Sequence, residues 1–247
     1  AQIPITDSVT NNLTQILDAM ARGAAQGLEL LVFPETAVTG YSPAIGHGRL
    51  PEEWPAIEEA LGRIASEAAR LGLWVAVGTE AWTGEHWMNR LVVYSDLGEQ
   101  AATYDKVHLT GGDVPYYAPG ERPTLFSLRG VRVGLQICYD ARFPEGYRAL
   151  LEEGAEVILQ GFYGAGGDNW KVPILGAHLR SRAAESGCFV VAANVAVPLQ
   201  IVVSQIIDPL GLVLAQANQD CDEIVTAELD LNRVAASEIR KDYMQRF

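Results

Sequence analysis

The sequence contains few cysteines and no motif that pairs them. Cys138, Cys188 and Cys221 are an odd set of three in 247 residues, and none stands in a C-x-x-C spacing. This excludes a disulfide framework of the kind found in small secreted proteins, and it favours a reducing compartment, which predicts a cytoplasmic protein. No metal site is expected either, because the histidines are dispersed along the chain: His47, His86, His108 and His178.

Basic residues are also scarce. The chain has 18 lysines and arginines against 31 acidic residues, which gives a formal net charge of −13. We expect no nucleic-acid partner, because such a surface repels phosphates and no cluster of basic residues interrupts it. No membrane association is predicted, since no run approaches the about 18 apolar residues of a spanning helix. The opening stretch "AQIPITD" lacks the features of a signal peptide, and it reads like the end of a strand that other residues precede.

Strand-like and helix-like segments alternate along the chain. The predicted helices are residues 11–27, 52–72, 145–154 and 173–187, with Pro55 expected to perturb the start of the second. The predicted strands are residues 28–35, 73–82, 88–107 as a hairpin, 131–138, 155–161, 188–197, 204–217 as a hairpin, and 223–231. This alternation predicts a layered α/β fold, and the hairpins predict mixed sheets. No linker or repeat is visible, so residues 1–247 are expected to form a single domain.

Three reactive side chains occupy the same kind of position. Glu35, Lys106 and Cys138 each end or directly follow a predicted strand. Ligands of open α/β sheets gather at the carboxyl ends of strands, so these residues are candidates for one site. Each has a commoner structural explanation when taken alone, since a cysteine at a strand end usually packs and a lone lysine or glutamate is usually solvated.

Three sequence motifs favour the catalytic over the structural explanation, because they resemble the motifs of a known family. The stretches "FPETAVTGY" (33–41), "YDKVHL" (104–109) and "CYDARFPE" (138–145), in this order, closely resemble the nitrilase superfamily of carbon–nitrogen hydrolases. The similarity covers nearly the whole chain, because three further stretches also resemble the family: "YAPGER" (117–122), "LRSRAAESG" (179–187) and "DPLGLVLA" (208–215).

The resemblance implies a fold, a mechanism and an assembly. The fold is a four-layer α-β-β-α sandwich with two mixed sheets, without a cofactor, and the molecule is expected to be a homo-oligomer, a dimer or higher. Carried over to this sequence, the Glu–Lys–Cys triad is Glu35, Lys106 and Cys138. A thiol needs a neighbouring base to attack a carbonyl, and Glu35 is placed to be that base. The Lys106 ammonium and the backbone N–H of Tyr139 are expected to stabilise the oxyanion.

The sequence departs from the family pattern at Asp113. Many members carry a second glutamate there, and aspartate is shorter by one methylene. Asp113 has two possible roles. It is either a supporting carboxylate, which an inward shift of its loop brings close to the site, or only a turn residue that follows two glycines. The span 195–204 is also short and lacks expected glycines, which suggests a trimmed loop. Tyr41, Tyr163 and Trp170 are candidates for the substrate pocket, with packing in the core as the equal alternative.

The motif around the cysteine favours one reaction. "CYDARFPE" is most similar to the aliphatic and omega-type amidases, which predicts hydrolysis of a small aliphatic carboxamide to a carboxylate and ammonia through a Cys138 thioester. A nitrilase or an N-carbamoyl amino acid hydrolase with the same triad is the alternative. A catalytically silent oligomeric scaffold is a third. Structural roles are expected for His108, the pair Arg182 and Glu185, Cys188 and Cys221.

Overall fold

Two mixed β-sheets form the centre of the molecule in the computed structural model, which describes residues 1–166 and 170–245. The first sheet has four strands in chain order: β1 (Leu30–Val32), β2 (Trp74–Trp82), β3 (Trp87–Tyr94) and β4 (Gln100–Asp105). Strand β1 is parallel to β2, and the other pairs are antiparallel. The predicted hairpin within 88–107 is confirmed, because β3 and β4 turn at Ser95–Glu99, where Gly98 has a φ of +77°.

The second sheet has six strands in the order β10-β9-β8-β7-β6-β5. They are β5 (Thr124–Leu128), β6 (Val131–Ile137), β7 (Val157–Gly161), β8 (Phe189–Ala193), β9 (Gln205–Ile207) and β10 (Val213–Gln216). The inner strands β6, β7 and β8 are parallel, whereas β5, β9 and β10 join as antiparallel neighbours. The parallel strands therefore deliver their carboxyl ends to one edge of the sheet.

Helices cover the outer face of each sheet. The helices of the described residues are α1 (Val9–Ala25), α2 (Ser42–Ile45), α3 (Trp54–Leu71), α4 (Pro144–Glu152), α5 (Lys171–Ser186), α6 (Asn232–Ala236) and α7 (Glu238–Met244), of which α1, α3, α4 and α5 form the two outer layers. Apolar residues of α1 and α3 pack on the first sheet, and those of α4 and α5 pack on the second. A third apolar cluster lies between the two sheets. The expected four-layer α-β-β-α sandwich is confirmed. None of these helices has the length and apolarity that crossing a membrane requires.

Strand β2 illustrates why its sequence is apolar on both faces. Val75 and Val77 point into the cluster beneath α1 and α3, while Trp74 and Ala76 point into the cluster between the sheets. Side chains alternate with a period of two along a strand, so a strand covered on both sides shows a nearly continuous apolar run.

The structure corrects several predicted elements. Pro55 lies in the first turn of α3, where its missing N–H costs nothing, so it does not perturb the helix. The strand predicted at 28–35 is regular only over Leu30–Val32. The strand predicted at 223–231 is wrong, because only Glu223 pairs, through an isolated bridge to Gln2. Strand β5 and helices α6 and α7 were not predicted.

Candidate active site

Cys138 lies at a sharp turn directly after β6. Its φ of +42° is in the left-handed region, and it begins a 3-10 helix over Cys138–Arg142. Such a backbone costs about 1–3 kcal/mol and persists only where neighbours hold it. The Gln160 amide donates to the Cys138 carbonyl at 3.3 Å, and the Ile137 N–H donates to Asp140 at 3.1 Å. The thiol is therefore turned out of the sheet at its carboxyl edge.

Asp140 ties this turn to the strand that precedes Lys106. Its buried carboxylate accepts hydrogen bonds from the Tyr104 hydroxyl and from both the backbone and the ring nitrogen of His108, each at 2.8 Å. The His108 ring stacks on Phe143 with centroids 3.8 Å apart. His108 thus makes the structural hydrogen bond that was expected of it.

Glu35 lies three residues beyond the end of β1, and its side chain is fully buried. Its backbone passes so close to β2 that a Cβ on Gly78 would stand 2.3 Å from the Pro34 carbonyl oxygen. One carboxylate oxygen accepts from Lys106 Nζ and from Asn89 Nδ2, each at 2.7 Å. The other accepts from the Tyr163 backbone N–H at 2.7 Å. These bonds fix the orientation of the carboxylate beside the thiol of Cys138.

Lys106 is a fully buried cation between two carboxylates. Its Nζ lies 2.7 Å from Glu35 Oε1 and 3.0 Å from Asp113 Oδ2. Burial alone would lower the pKa of Lys106, but the negative charges of Glu35 and Asp113 outweigh it and raise the pKa above its ordinary value. The ammonium is therefore charged at any physiological pH and compensates both acids.

Asp113 reaches Lys106 despite its short side chain. Oδ2 also accepts from the backbone N–H and hydroxyl of Thr110, at 2.8 and 2.9 Å, while Oδ1 accepts from the Tyr41 hydroxyl at 2.6 Å. Burial would raise the pKa of Asp113, but Lys106 and these donors hold it below its ordinary value. Asp113 is thus both a turn residue and part of the buried charge cluster.

The thiol of Cys138 is protonated at rest. Its burial and the charge of Glu35 raise the pKa of Cys138 well above the ordinary value, against the opposing effect of Lys106. The Glu35 carboxylate is one of the charged groups that act on this thiol. The arrangement therefore pairs a neutral thiol with a fixed proton acceptor, as nucleophilic catalysis by cysteine requires.

The family of the chain follows from its similarity to known proteins. The family model for carbon–nitrogen hydrolases matches residues 1–238. The chain belongs to the carbon–nitrogen hydrolase family. The resemblance to the nitrilase superfamily read from its motifs is confirmed.

Relatives of this carbon–nitrogen hydrolase include named amidases. It is 32% identical over 239 residues to an (R)-stereoselective amidase of Pseudomonas sp., covering 95% of this chain and 84% of that one. A solved amidase variant from Nesterenkonia sp. AN1, in which acrylamide has added to the active-site cysteine, is 25% identical with a TM-score of 0.81. The match covers 98% of this chain and 96% of that one. A Helicobacter pylori carbon–nitrogen hydrolase, 21% identical, shares the fold with a TM-score of 0.87 over 99% and 92% of the two chains.

A cavity of about 430 Å³ opens over Cys138 in this carbon–nitrogen hydrolase. The three predicted pocket aromatics, Tyr41, Tyr163 and Trp170, all line it. Tyr41 and Tyr163 are half-buried with ring centroids 5.0 Å apart, whereas Trp170 is 56% exposed. The remaining lining residues are Thr110, Gly111, Gly112, Cys138, Tyr139, Arg142, Ala165, Lys171, Ile174, Leu175 and Ile201.

Sequence reasoning missed several residues that build the site of this hydrolase. Asn89 holds Glu35, and its signal was a polar residue within the apolar run "MNRLVVY". Glu80, buried in β2, accepts from the Tyr117 hydroxyl and from the Ser42 N–H, and the Tyr117 ring stacks on Tyr41. These contacts place an additional layer of polar residues behind Tyr41.

The other reactive residues have structural positions. Arg182 donates to the Ala141 carbonyl at 3.0 Å and pairs with Glu185, so it supports the end of the cysteine turn. Cys188 is buried against Arg240 of α7, and Cys221 is exposed. No cluster of His, Cys, Asp or Glu within residues 1–166 and 170–245 is arranged to hold a metal ion.

Proposed function

We propose that this protein is an amidase that converts a small aliphatic carboxamide into a carboxylate and ammonia through a thioester on Cys138. The observation that carries the proposal is the convergence of Glu35, Lys106 and Cys138 beneath a cavity of small-molecule size. The amidase names of its relatives support the choice of substrate class.

Acylation begins when the Cys138 sulfur attacks the amide carbon. Glu35 takes the thiol proton, because the thiol is protonated at rest and Glu35 is the carboxylate whose charge acts on it most strongly. The carbonyl oxygen becomes an oxyanion that Lys106 Nζ and the backbone N–H of Tyr139 stabilise. The Tyr139 N–H lies in the first turn of the 3-10 helix, whose N–H groups lack an intrahelical acceptor.

The second half returns the enzyme to its starting state. Glu35 gives its proton to the departing nitrogen, the C–N bond breaks, and ammonia leaves a thioester on Cys138. Glu35 then takes a proton from water as the water oxygen attacks the thioester carbon. The C–S bond breaks, Glu35 returns the proton to the Cys138 sulfur, and the carboxylic acid leaves and ionises to the carboxylate. Throughout both steps Lys106 stays charged, because Asp113 and Glu35 compensate it.

Replacing Cys138 with alanine is expected to reduce ammonia release from aliphatic amides to background. Without the thiol no thioester forms, so the loss should appear in kcat. Ammonia release is measured with a panel of amides, nitriles and N-carbamoyl amino acids, which also separates the alternative reactions. Denatured wild-type enzyme taken during turnover should carry one acyl group on Cys138 by peptide mass. Cys188→Ala and Cys221→Ala serve as controls, and an adduct on either of those cysteines contradicts the proposal.

Replacing Tyr41 with phenylalanine is expected to lower kcat about tenfold and to move the acid limb of the pH–rate profile upward. The change removes only the hydroxyl that donates to Asp113, a hydrogen bond to a charged group. Without this donor the pKa of Asp113 rises. As the pH falls, Asp113 is then protonated at a higher pH, and it stops compensating the charge of Lys106 there. Tyr116→Phe, which lies outside the cavity lining, is the matched control. A wild-type pH profile in Tyr41→Phe refutes the role of this contact.

We also propose a cytoplasmic homo-oligomer. The three cysteines are free thiols, which suits a reducing compartment. Size-exclusion chromatography with light scattering measures the assembly, and a monomer at micromolar concentration contradicts it.

A further inference from the structure

Glu80 is a buried carboxylate that the catalytic steps do not use. It lies in β2, is 1% exposed, and is not among the described residues that line the substrate cavity. A carboxylate removed from water costs free energy unless hydrogen bonds or an opposite charge compensate it. Its Oε1 accepts from the Tyr117 hydroxyl and, at 3.0 Å, from the Ser42 backbone N–H, and its Oε2 lies 3.7 Å from Arg49 Nε. Glu80 thus holds three segments that lie outside its own sheet.

Two of these contacts lead to the hydrogen bond between Tyr41 and Asp113. Ser42 directly follows Tyr41 in the chain, so its bond to Glu80 fixes the backbone that carries the Tyr41 ring. Tyr117 donates its backbone N–H to the Asp113 carbonyl at 3.0 Å, and its ring stacks on that of Tyr41 with centroids 6.5 Å apart. Glu80 therefore joins the segment that supplies the hydrogen-bond donor to the segment that supplies the acceptor.

The same position in the first sheet also supports Glu35. Glu80 of β2 is paired with Asn89 of β3, and directly opposed residues of antiparallel strands project from the same face. Asn89 donates to Glu35 at 2.7 Å. One cross-strand pair thus supports both carboxylates that flank Lys106: Asn89 contacts Glu35 directly, and Glu80 reaches Asp113 through its neighbours.

We propose that Glu80 and Tyr117 are positioning residues that hold the Tyr41 hydroxyl against Asp113. The proposal rests on the proposed amidase function and adds two residues to it that lie behind the cavity. The hydroxyl–carboxylate bond is 2.6 Å long, which is typical of a strong hydrogen bond to a charged acceptor. A small displacement of the Tyr41 ring would lengthen it, and Asp113 would then compensate Lys106 less well.

Tyr117→Phe is expected to lower kcat for butyramide about three- to tenfold, because it removes the hydroxyl that Glu80 holds and leaves the ring. The acid limb of the pH–rate profile should also move upward. Asp113 faces the Lys106 ammonium, the Tyr41 hydroxyl and the donors of Thr110, and weakening one of these donors lets it take a proton at a higher pH.

A double variant separates positioning from a general structural role. If Tyr117 acts through Tyr41, the variant with both tyrosines changed to phenylalanine should match Tyr41→Phe within about twofold, because residues that act on one contact are not additive. Independent effects would multiply to a loss of about 30–100-fold, and that result overturns the proposal. Tyr94→Phe, at a buried position at the end of β3, is the matched control and should leave the acid limb in place.

Glu80→Gln and Glu80→Leu test the carboxylate itself. Glutamine keeps an oxygen that can accept from Tyr117 and Ser42, so the acid limb should shift much less than in Glu80→Leu, which has no acceptor. Equal shifts in the two variants would mean that the hydrogen bonds of Glu80 do not position the site. Tyr117→Phe and the double variant carry the test if Glu80→Leu fails to fold.

The titration of Asp113 provides a readout without turnover. Carbon-13 NMR of aspartate-labelled protein should show a higher pKa for Asp113 in Tyr117→Phe and in Tyr41→Phe than in the wild type, and no change in Tyr94→Phe. An unchanged pKa of Asp113 in Tyr117→Phe rejects the positioning role, whichever substrates the enzyme uses. Wild-type enzyme that releases ammonia from no amide contradicts the proposed function instead, and this titration then decides the positioning role by itself.

Discussion

Glu35→Gln is expected to lower amide hydrolysis by a factor of about 10²–10⁴, the usual contribution of a general acid–base group. Glutamine keeps the shape of the side chain but cannot accept the thiol proton or return it to the leaving nitrogen. The same variant should make Cys138 more reactive toward iodoacetamide at neutral pH. The reason is that Glu35 is one of the charges that raise the pKa of Cys138, whereas Lys106 lowers it.

Two measurements on one variant separate these effects. Ammonia release gives the hydrolytic rate, and peptide mass after timed alkylation gives the labelling rate of Cys138 as a function of pH. The midpoint of that labelling curve should move to lower pH in Glu35→Gln, because a thiolate is no longer opposed by a neighbouring carboxylate. Glu121→Gln, an exposed position, is the control. A hydrolytic rate near wild type, or a labelling curve displaced to higher pH, contradicts the assigned role of Glu35.

Lys106→Met is expected to destabilise the fold by about 3–5 kcal/mol at neutral pH, besides removing activity. The lysine compensates two buried carboxylates, and removing one partner of a buried ion pair leaves uncompensated charge in a medium of low polarity. Methionine has a similar length and no charge, so the loss measures electrostatics rather than a cavity. The midpoint of urea denaturation reports the change.

The pH dependence of this loss has a defined sign. In the wild-type protein the pKa of Asp113 is lower than in the unfolded chain, and this difference stabilises the fold at pH values above the pKa of the unfolded chain. The stabilisation is lost as the pH falls through the lower pKa that Asp113 has in the folded protein. In Lys106→Met the Asp113 carboxylate is buried without its cation, so folding favours the protonated acid. The deficit should therefore shrink as the pH falls from 7 toward 4. Lys241→Met, on the exposed face of α7, should change stability by less than about 0.5 kcal/mol. If Lys106→Met also changes stability by less than about 0.5 kcal/mol, Lys106 does not compensate the two buried carboxylates.

Local patterns predicted most of the layered architecture. The alternation of apolar strands with amphipathic helices and the two hairpins are visible without tertiary information, since each reflects a periodicity within one segment. The prediction failed at residues 223–231, which have strand-like composition but only one paired residue. Strand formation depends on a neighbouring strand, and no local pattern specifies whether one is present.

The candidate site was predicted through three motifs, and its supporting residues were not. Asn89 gave only a weak signal, a polar residue in a strand, and Gly78 gave none. The close approach that Gly78 permits involves the chain around Glu35, more than forty positions earlier in the sequence. Likewise, the turn that presents Cys138 depends on Asp140 and Gln160, whose contacts cross from one element to another.

The sequence by itself determined most of the succession of elements and the three reactive groups, because periodicity and motifs are properties of short segments. Only the tertiary structure decided how the charges are arranged. Glu35 and Lys106 are 71 positions apart, and the packing of the strands brings their charged atoms to 2.7 Å. Asp113 became a partner of Lys106 because Thr110 and Tyr41 hold its short side chain there. Electrostatic interactions depend on distance and burial, and both are set by the complete fold.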